Sequence, residues 1–163
     1  MILVLVSIVV HFSLSVKQCP ENYNNFLPFR GQCYMDVNGT MNYTEAKAYC
    51  QKQEGYILEI YSESECDYIL DIMNFMEIDN EIGIWLGASK NEQSDQFKWE
   101  SAERAIDTER WQKPFPSISR PGSHLALLRK NKTHLAKVGP HENLVLFCKT
   151  VINKDEPGTQ NNK

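Results

Sequence analysis

Residues 83–87 read Gly-Ile-Trp-Leu-Gly, and the hydrophobic pattern of the sequence differs before and after this stretch. A short apolar run between glycines is typical of a strand buried in a core. The residues before it contain two segments with the composition and start signals of helices. The residues after it contain short apolar runs separated by turn-forming residues. This order predicts an α+β fold, with the helices early and a strand-and-loop half late.

Two helices are predicted before this strand. Asn42 with Glu45 three residues later starts a helix over 44–53, a run of good helix formers. Ser62 with Glu65 three residues later forms a capping box, in which the Ser62 hydroxyl accepts from the Glu65 amide while the Glu65 side chain reaches back. The apolar stripe of this second helix consists of Ile69, Met73 and Met76. Strands are predicted at 56–61, 84–87, 97–99, 124–128 and 144–148.

The two ends of the sequence are predicted to lie outside the domain. Residues 2–10 form an unbroken apolar run, and Ser13 and Ser15 follow with the spacing that a signal peptidase prefers. The run is shorter than the roughly 20 residues that span a bilayer. We therefore predict a signal peptide over residues 1–15, a secreted, extracellular protein, and no membrane insertion of the mature chain. The polar residues 153–163 are predicted to be a disordered tail.

Cysteine and sequon patterns fit the secretory route. The chain has five cysteines, so in an oxidising compartment most should pair and one is left over. Counting alone leaves the connectivity open. No Cys-x-x-Cys is present, which argues against a zinc ribbon and a thioredoxin-type site. Asn-x-Thr sequons predict glycosylation at Asn38, Asn42 and Asn131.

In their order along the chain, these features resemble the C-type lectin-like domain over residues 19–149. The matching residues are Cys19-Pro20, Gly31, Cys33-Tyr34, Ala46, Cys50, Trp85-Leu86-Gly87, Trp99, Trp111 and Phe147-Cys148. The resemblance implies a C-type lectin-like fold with two helices, small antiparallel sheets and a long irregular loop region. It also implies two disulfides, one joining Cys19 to Cys33 and the other joining Cys50 to Cys148.

This pairing leaves Cys66, for which two alternatives stay open. Ile69 and Met73 lie on the same face of the predicted helix, which favours a buried thiol. Secretion favours oxidation instead, and a cysteine near a helix end could form an intermolecular disulfide. The second alternative predicts a covalent homodimer through Cys66.

The calcium-ligand motifs of sugar-binding family members are replaced in this sequence. Those members carry Glu-Pro-Asn or Gln-Pro-Asp in the long loop and Trp-Asn-Asp on a later strand. Here the corresponding stretches read Lys113-Pro114-Phe115 and Leu135-Ala136-Lys137. Calcium takes six to eight oxygen ligands, usually with several carboxylates, yet residues 110–141 contain no Asp or Glu. We therefore expect neither calcium-dependent sugar binding nor a bound cofactor.

Residues 110–141 are instead strongly basic. They carry a formal charge of +7 in a chain whose net charge is −4. The ordinary explanation is a solvated face, and the alternative is a surface that attracts anions. The histidines His124, His134 and His141 are expected to add charge as the pH falls. The candidate ligand-binding residues are Trp111, Lys113, Phe115, Arg129, Lys130 and Lys137.

Two functions follow from these observations. The first is an extracellular lectin-like recognition module that binds carbohydrate without calcium and prefers anionic ligands. The alternative is a calcium-independent protein-binding module that contacts a receptor or matrix component. A nucleic-acid partner is disfavoured by secretion and by the negative net charge. An enzyme is the poorest fit, because no His-Glu-x-x-His, Gly-x-Ser-x-Gly or phosphate-binding glycine loop is present.

Overall fold

The helices and strands are taken from a computed structural model, which describes residues 18–78, 82–90, 96–106, 122–128 and 134–152. Within these ranges the chain forms a 3-10 turn, two α-helices and eight strands. The helices are α1 (Tyr43–Lys52) and α2 (Glu63–Phe75). The strands are β1 (Gln32–Met41), β2 (Tyr56–Ile57), β3 (Ile84–Ser89), β4 (Lys98–Trp99), β5 (Arg104–Ala105), β6 (His124–Leu128), β7 (His134–Val138) and β8 (Leu144–Val151).

The described strands form two antiparallel ladders that meet at one point. In the first ladder β8 pairs with β1 along most of its length and with β2 near its end. In the second, β3 pairs with β4 and β6, while β5 extends β4 and β7 extends β6. The two ladders join where Ile84 pairs in parallel with Val145. The predicted α+β class is confirmed, and the predicted small antiparallel sheets are two ladders joined into one sheet of the eight described strands.

The core consists of two apolar clusters. Trp85 lies in one of them, where its Nε1 donates to the Met41 carbonyl at 2.8 Å. The Tyr43 ring meets the Trp85 ring edge-on at 5.1 Å between centroids. Ile69 and Met73, from the predicted stripe of α2, are buried in the other cluster. α2 therefore buries one face against the sheet, as its apolar spacing predicts.

The helix starts agree with the sequence, with one correction. Asn42 and Glu45 form a complete capping box at α1. At α2 the Ser62 hydroxyl accepts from the Glu65 amide at 3.2 Å, as predicted. The Glu65 carboxylate, however, accepts from the Tyr61 amide at 2.8 Å, so the prediction that it returns to Ser62 is wrong. The physical reason is that the same carboxylate is drawn into a buried ion pair with Lys149.

The strand predictions differ from the structure mainly in length. The strand predicted at 124–128 is β6, and those predicted at 84–87 and 144–148 are the first parts of β3 and β8. The strand predicted at 56–61 is in a ladder only at its first two residues. It then bonds to two different neighbours, through the Leu58 amide to Phe147 and through the Leu58 carbonyl to Gly87. The full length of β1, and the whole of β5 and β7, were not predicted.

Two disulfides are present with the connectivity that the family resemblance implied. Cys19 bonds to Cys33, and Cys50 in α1 bonds to Cys148 in β8. The predicted signal peptide over 1–15 and the predicted tail over 153–163 lie outside the described residues. Among the residues that are described, no helix combines the length and apolar character needed to cross a membrane.

Candidate functional site

Of the predicted ligand-binding residues, Lys137 is the one that the structure describes. The others, and the sequon at Asn131, lie outside the described residues; these are Trp111, Lys113, Phe115, Arg129 and Lys130. The Asn38 sequon is on an exposed part of β1. Asn42 is half-buried, because its side chain caps α1. Glycosylation at these positions stays a prediction.

Lys137 lies on β7, where the described side chains on either side of it are buried. Leu135 and Ala136 are buried, and their partners on β6 are Leu127 and Ala126. Because side chains alternate along a strand, Lys137 shares a face with Leu135. Its ammonium group extends over the ring of Phe97, with Nζ 5.9 Å from the ring centroid.

A second ammonium group meets the same ring. Nζ of Lys90, which directly follows β3, lies 5.7 Å from the Phe97 centroid. The Lys90 amide donates to the Ser123 carbonyl at 2.9 Å, which fixes the backbone beside the start of β6. Phe97 is only 2% exposed, so its ring is a fixed apolar support for both lysines. We call Lys90, Phe97 and Lys137 the Phe97 site.

The sequence indicated Lys137 but missed the other two members of the Phe97 site. Phe97 opens one predicted strand and Lys90 follows another. Lys90 follows β3, Phe97 precedes β4 and Lys137 is in β7, and strand pairing brings these distant parts of the sequence together. No spacing within the sequence therefore links the three residues. The long-range pairing of strands therefore creates a juxtaposition of two positive charges that the linear pattern does not contain.

His124 lies half-buried beside the first residue of α1. Its ring is half-buried against Tyr43, with 3.9 Å between centroids, and its Nδ1 is 2.9 Å from the Ser123 hydroxyl. Burial lowers the pKa of His124, and Lys47 lowers it further, against the opposing effect of Glu100. His124 is therefore expected to gain its charge at a lower pH than an ordinary histidine, and charge gained by the three histidines as the pH falls stays a prediction.

Cys66 is buried, with 1% of its surface exposed. Burial raises the pKa of its thiol to about 12, and the Asp67 and Glu65 carboxylates add to the shift. The thiolate is the reactive form of cysteine, so burial and this pKa favour the protonated, less reactive form at neutral pH. Of the two alternatives left open by the sequence, the structure favours burial, since an intermolecular disulfide would need α2 to open.

Two further charged groups pair between α1 and the β4–β5 hairpin. Lys47 Nζ is 2.7 Å from the Glu100 carboxylate. Burial acts to raise the pKa of Glu100, but hydrogen bonds from Lys47 and Ser89 outweigh it, so the pKa lies below its ordinary value. No group of three or more His, Cys, Asp or Glu side chains within the described ranges is placed to hold a metal ion.

Comparison with known protein families and sequences gives one family match. The model of the Lectin C-type domain matches residues 39–142. The human low affinity immunoglobulin epsilon Fc receptor is 24% identical over 111 residues, which cover 68% of this chain. The chain spans only 32% of that relative's length.

Solved structures with the same fold extend over most of the chain. Human lithostathine superposes with a TM-score of 0.67 at 20% identity, covering 82% of this chain and 99% of its own. The C-type lectin domain of murine dendritic cell inhibitory receptor 2, solved in complex with an N-glycan, superposes with a TM-score of 0.64 at 16% identity. It covers 82% of this chain and 99% of its own. These likenesses show the fold.

Proposed function

This chain belongs to the C-type lectin domain family, and from that premise we propose that it binds carbohydrate without calcium and prefers anionic glycans. Domains of this family are carbohydrate or protein recognition modules, and their fold is one of recognition domains rather than enzymes. With the signal peptide expected at residues 1–15, the proposed place of action is outside the cell.

The Phe97 site is the observation that carries the anionic preference. Two ammonium groups lie within 6 Å of one ring centroid, at 5.7 and 5.9 Å. Each ammonium has three N–H donors, so a sulfate or carboxylate can accept from it in addition to any partner that it already has. The sequence adds a charge of +7 over residues 110–141, which raises the local potential for anions.

Independence of calcium is supported by what occupies β7. Where sugar-binding relatives carry Trp-Asn-Asp, this strand has buried Leu135 and Ala136 followed by Lys137. An ammonium group at this position repels a divalent cation instead of coordinating it. The ammonium group of Lys137 therefore lies where a calcium-dependent lectin would need a carboxylate.

A glycan array with sulfated, sialylated and neutral glycans, probed with and without a calcium chelator, tests the proposal. We expect binding to the anionic glycans that is insensitive to the chelator and weakens as salt rises, because dispersed surface charges are screened. Lys137→Ser should weaken this binding. Lys52→Ser, which removes an exposed lysine from the end of α1, is the matched control and should leave it unchanged.

Two results would contradict the proposal. One is equal binding to neutral and sulfated glycans that does not change with salt. The other is a rise in melting temperature with calcium that a chelator reverses, because a cation that binds only the native state stabilises it.

Protein binding is the second candidate function. The relative named as an immunoglobulin epsilon Fc receptor carries a protein ligand in its name. This chain also exposes two large apolar side chains, Leu27 at 81% and Phe75 at 85%. An array without glycan binding at any salt, with a saturable interaction in a panel of receptor ectodomains that Phe75→Ala removes, would favour this alternative.

A further inference from the structure

The ladder between β1 and β8 is interrupted at Asn38 and Gly39. The residues on either side of this pair are matched to successive residues of β8, Val37 to Leu146 and Thr40 to Val145. Asn38 and Gly39 are therefore extra residues on β1, and neither has a partner in the register of β8. A bulge of this kind bends the strand and leaves the extra residues out of the ladder. The pair lacks the pairing that holds the rest of β1 in place.

Both residues of the bulge face solvent. Asn38, Gly39 and Thr40 are exposed, and a side-chain carbon placed on Gly39 would have no described atom within 4 Å. The φ angle of Gly39 is +91°, in the region that glycine adopts freely and other residues rarely adopt. Water therefore reaches the Asn38 carboxamide, and no side chain shields the peptide nitrogen that follows it.

This pair has the chemistry for an intramolecular cyclisation. The backbone nitrogen of Gly39 loses its proton to base and forms a bond to Cγ of Asn38. The Cγ–Nδ2 bond then breaks and ammonia leaves, which closes a succinimide ring. Water opens the ring at either carbonyl and gives aspartate or isoaspartate. No oxidant is needed, because a nucleophile on the adjacent residue reacts at a high effective concentration.

Asn38 differs from the other asparagines in the residue that follows it. It is the only asparagine in the sequence that precedes a glycine. A Cβ on the following residue hinders the approach of its nitrogen to Cγ, so glycine favours the reaction. Asn42 provides the contrast, because Tyr43 follows it and its Oδ1 accepts from the Glu45 amide at the start of α1.

We propose that Asn38 is a self-modifying site, which converts to aspartate or isoaspartate when it carries no glycan. The inference is independent of the proposed glycan-binding function. Asn38 is also the acceptor of a predicted sequon, and a glycan would be attached to the same Nδ2 that the reaction expels. The two modifications therefore exclude each other. Conversion adds a negative charge to the exposed part of β1 and permanently removes the sequon.

Incubation of Thr40→Ala in heavy-oxygen water at physiological pH and temperature, followed by peptide mapping, tests the site. This variant lacks the sequon and keeps the Asn38–Gly39 pair, so no glycan interferes. The tryptic peptide 31–47 should gain the mass difference between an amide and a carboxyl group, with one heavy oxygen at residue 38. The rate should rise with pH, because base removes the Gly39 proton. Asn42, in the same peptide, is the internal control and should keep its amide.

Thr40→Ala/Asn38→Gln is the matched control. Glutamine keeps a carboxamide at this position but has to close a larger ring, so this variant should stay unconverted. The native Thr40→Ala protein should convert within about tenfold of the rate of the same chain reduced and unfolded in urea. A tenfold difference corresponds to about 1.4 kcal/mol of hindrance by the fold.

The outcomes are separable. Conversion of Asn38 in the native protein, with Asn42 unchanged, supports the self-modifying site. Conversion of Asn38 only after unfolding overturns it, because the bulge would then give the pair no freedom. Equal conversion of Asn38 and Asn42, or conversion of neither, also overturns it. None of these results affects the glycan array, which tests the proposed function on its own.

Discussion

At the scale of single residues, the ammonium group of Lys149 is fully buried. Its Nζ donates to Glu65 Oε1 at 2.5 Å and to the Glu59 carbonyl at 2.7 Å, and lies 4.4 Å from the centroid of the Tyr61 ring. The Tyr34 hydroxyl donates to the same Glu65 oxygen at 2.7 Å. Burial lowers the pKa of Lys149, and the Glu65 carboxylate opposes that shift without cancelling it.

Lys149→Met should destabilise the domain by about 3–5 kcal/mol, because it leaves the buried Glu65 carboxylate without its counter-charge. Lys47→Met removes the other described ion pair, whose side chains are 49% and 22% exposed. Exposed pairs contribute roughly 0–1 kcal/mol, so this variant is the matched control. Urea unfolding measures both. Equal losses in the two variants would contradict the assignment of the buried pair as a stabilising contact.

His124 should make the stability of the domain depend on pH. Its pKa is lower in the folded state than the ordinary value of about 6.5. Between the folded and the unfolded pKa of His124, the unfolded chain binds more protons than the native state does. The free energy of unfolding is therefore full above the unfolded pKa and falls as the pH drops through the folded pKa. His124→Gln should flatten the plot of melting temperature against pH in this window. A plot that keeps its slope in His124→Gln would contradict this assignment.

Cys66 should behave as an unreactive thiol. The native protein should resist alkylation and migrate as a monomer on a non-reducing gel, because the thiol is buried and protonated. Denaturation should make it react at once. A band of twice the monomer mass that disappears with reductant and in Cys66→Ser would instead establish the covalent homodimer.

At the scale of elements, substitutions at the start of α1 distinguish the capping role of Asn42 from its predicted glycosylation. Asn42 Oδ1 accepts from the Glu45 amide at 3.0 Å. Asn42→Ala should cost about 1 kcal/mol of stability, whereas Asn42→Asp should cost much less, because aspartate is an equally good N-cap. Both changes delete the sequon, so any glycan contributes equally to the two variants. Thr44→Ala deletes the sequon and keeps the cap, and equal stabilities of the two Asn42 variants would contradict the capping role.

Elements with local signals could be predicted from the sequence, and those that depend on distant partners could not. Both helix starts follow from pairs of residues three positions apart, so this local spacing was enough to find them. The partner of Glu65 is Lys149, which is 84 residues away, and nothing near Glu65 indicates it. β7 was missed because only three of its residues, Leu135, Ala136 and Val138, are apolar. Lys90 and Phe97 of the Phe97 site were missed because, as in the Glu65–Lys149 ion pair, the contact joins residues that are distant in the sequence.

At the scale of the whole molecule, the two disulfides close loops of very different length. Cys50 and Cys148 are 98 residues apart, and Cys19 and Cys33 are 14 apart. In the chain-entropy model, loops of these sizes contribute about 4.7 and about 3 kcal/mol. Replacing Cys50 and Cys148 together by Ser should therefore lower the urea midpoint more than replacing Cys19 and Cys33. The reverse order would show that strain or local packing decides the contribution of each bridge.

The central position of β8 also governs how the molecule is made. β8 pairs with β1, β2 and β3, and it is the last of the described strands to leave the ribosome. Until residues 144–151 emerge, the ten residues of β1 have no described partner strand and Cys50 lacks its native partner, Cys148. An unpaired strand is a template for association with other chains, and pairing over such separations is slow. A premature stop codon before Leu144 therefore yields an aggregation-prone chain instead of a smaller domain.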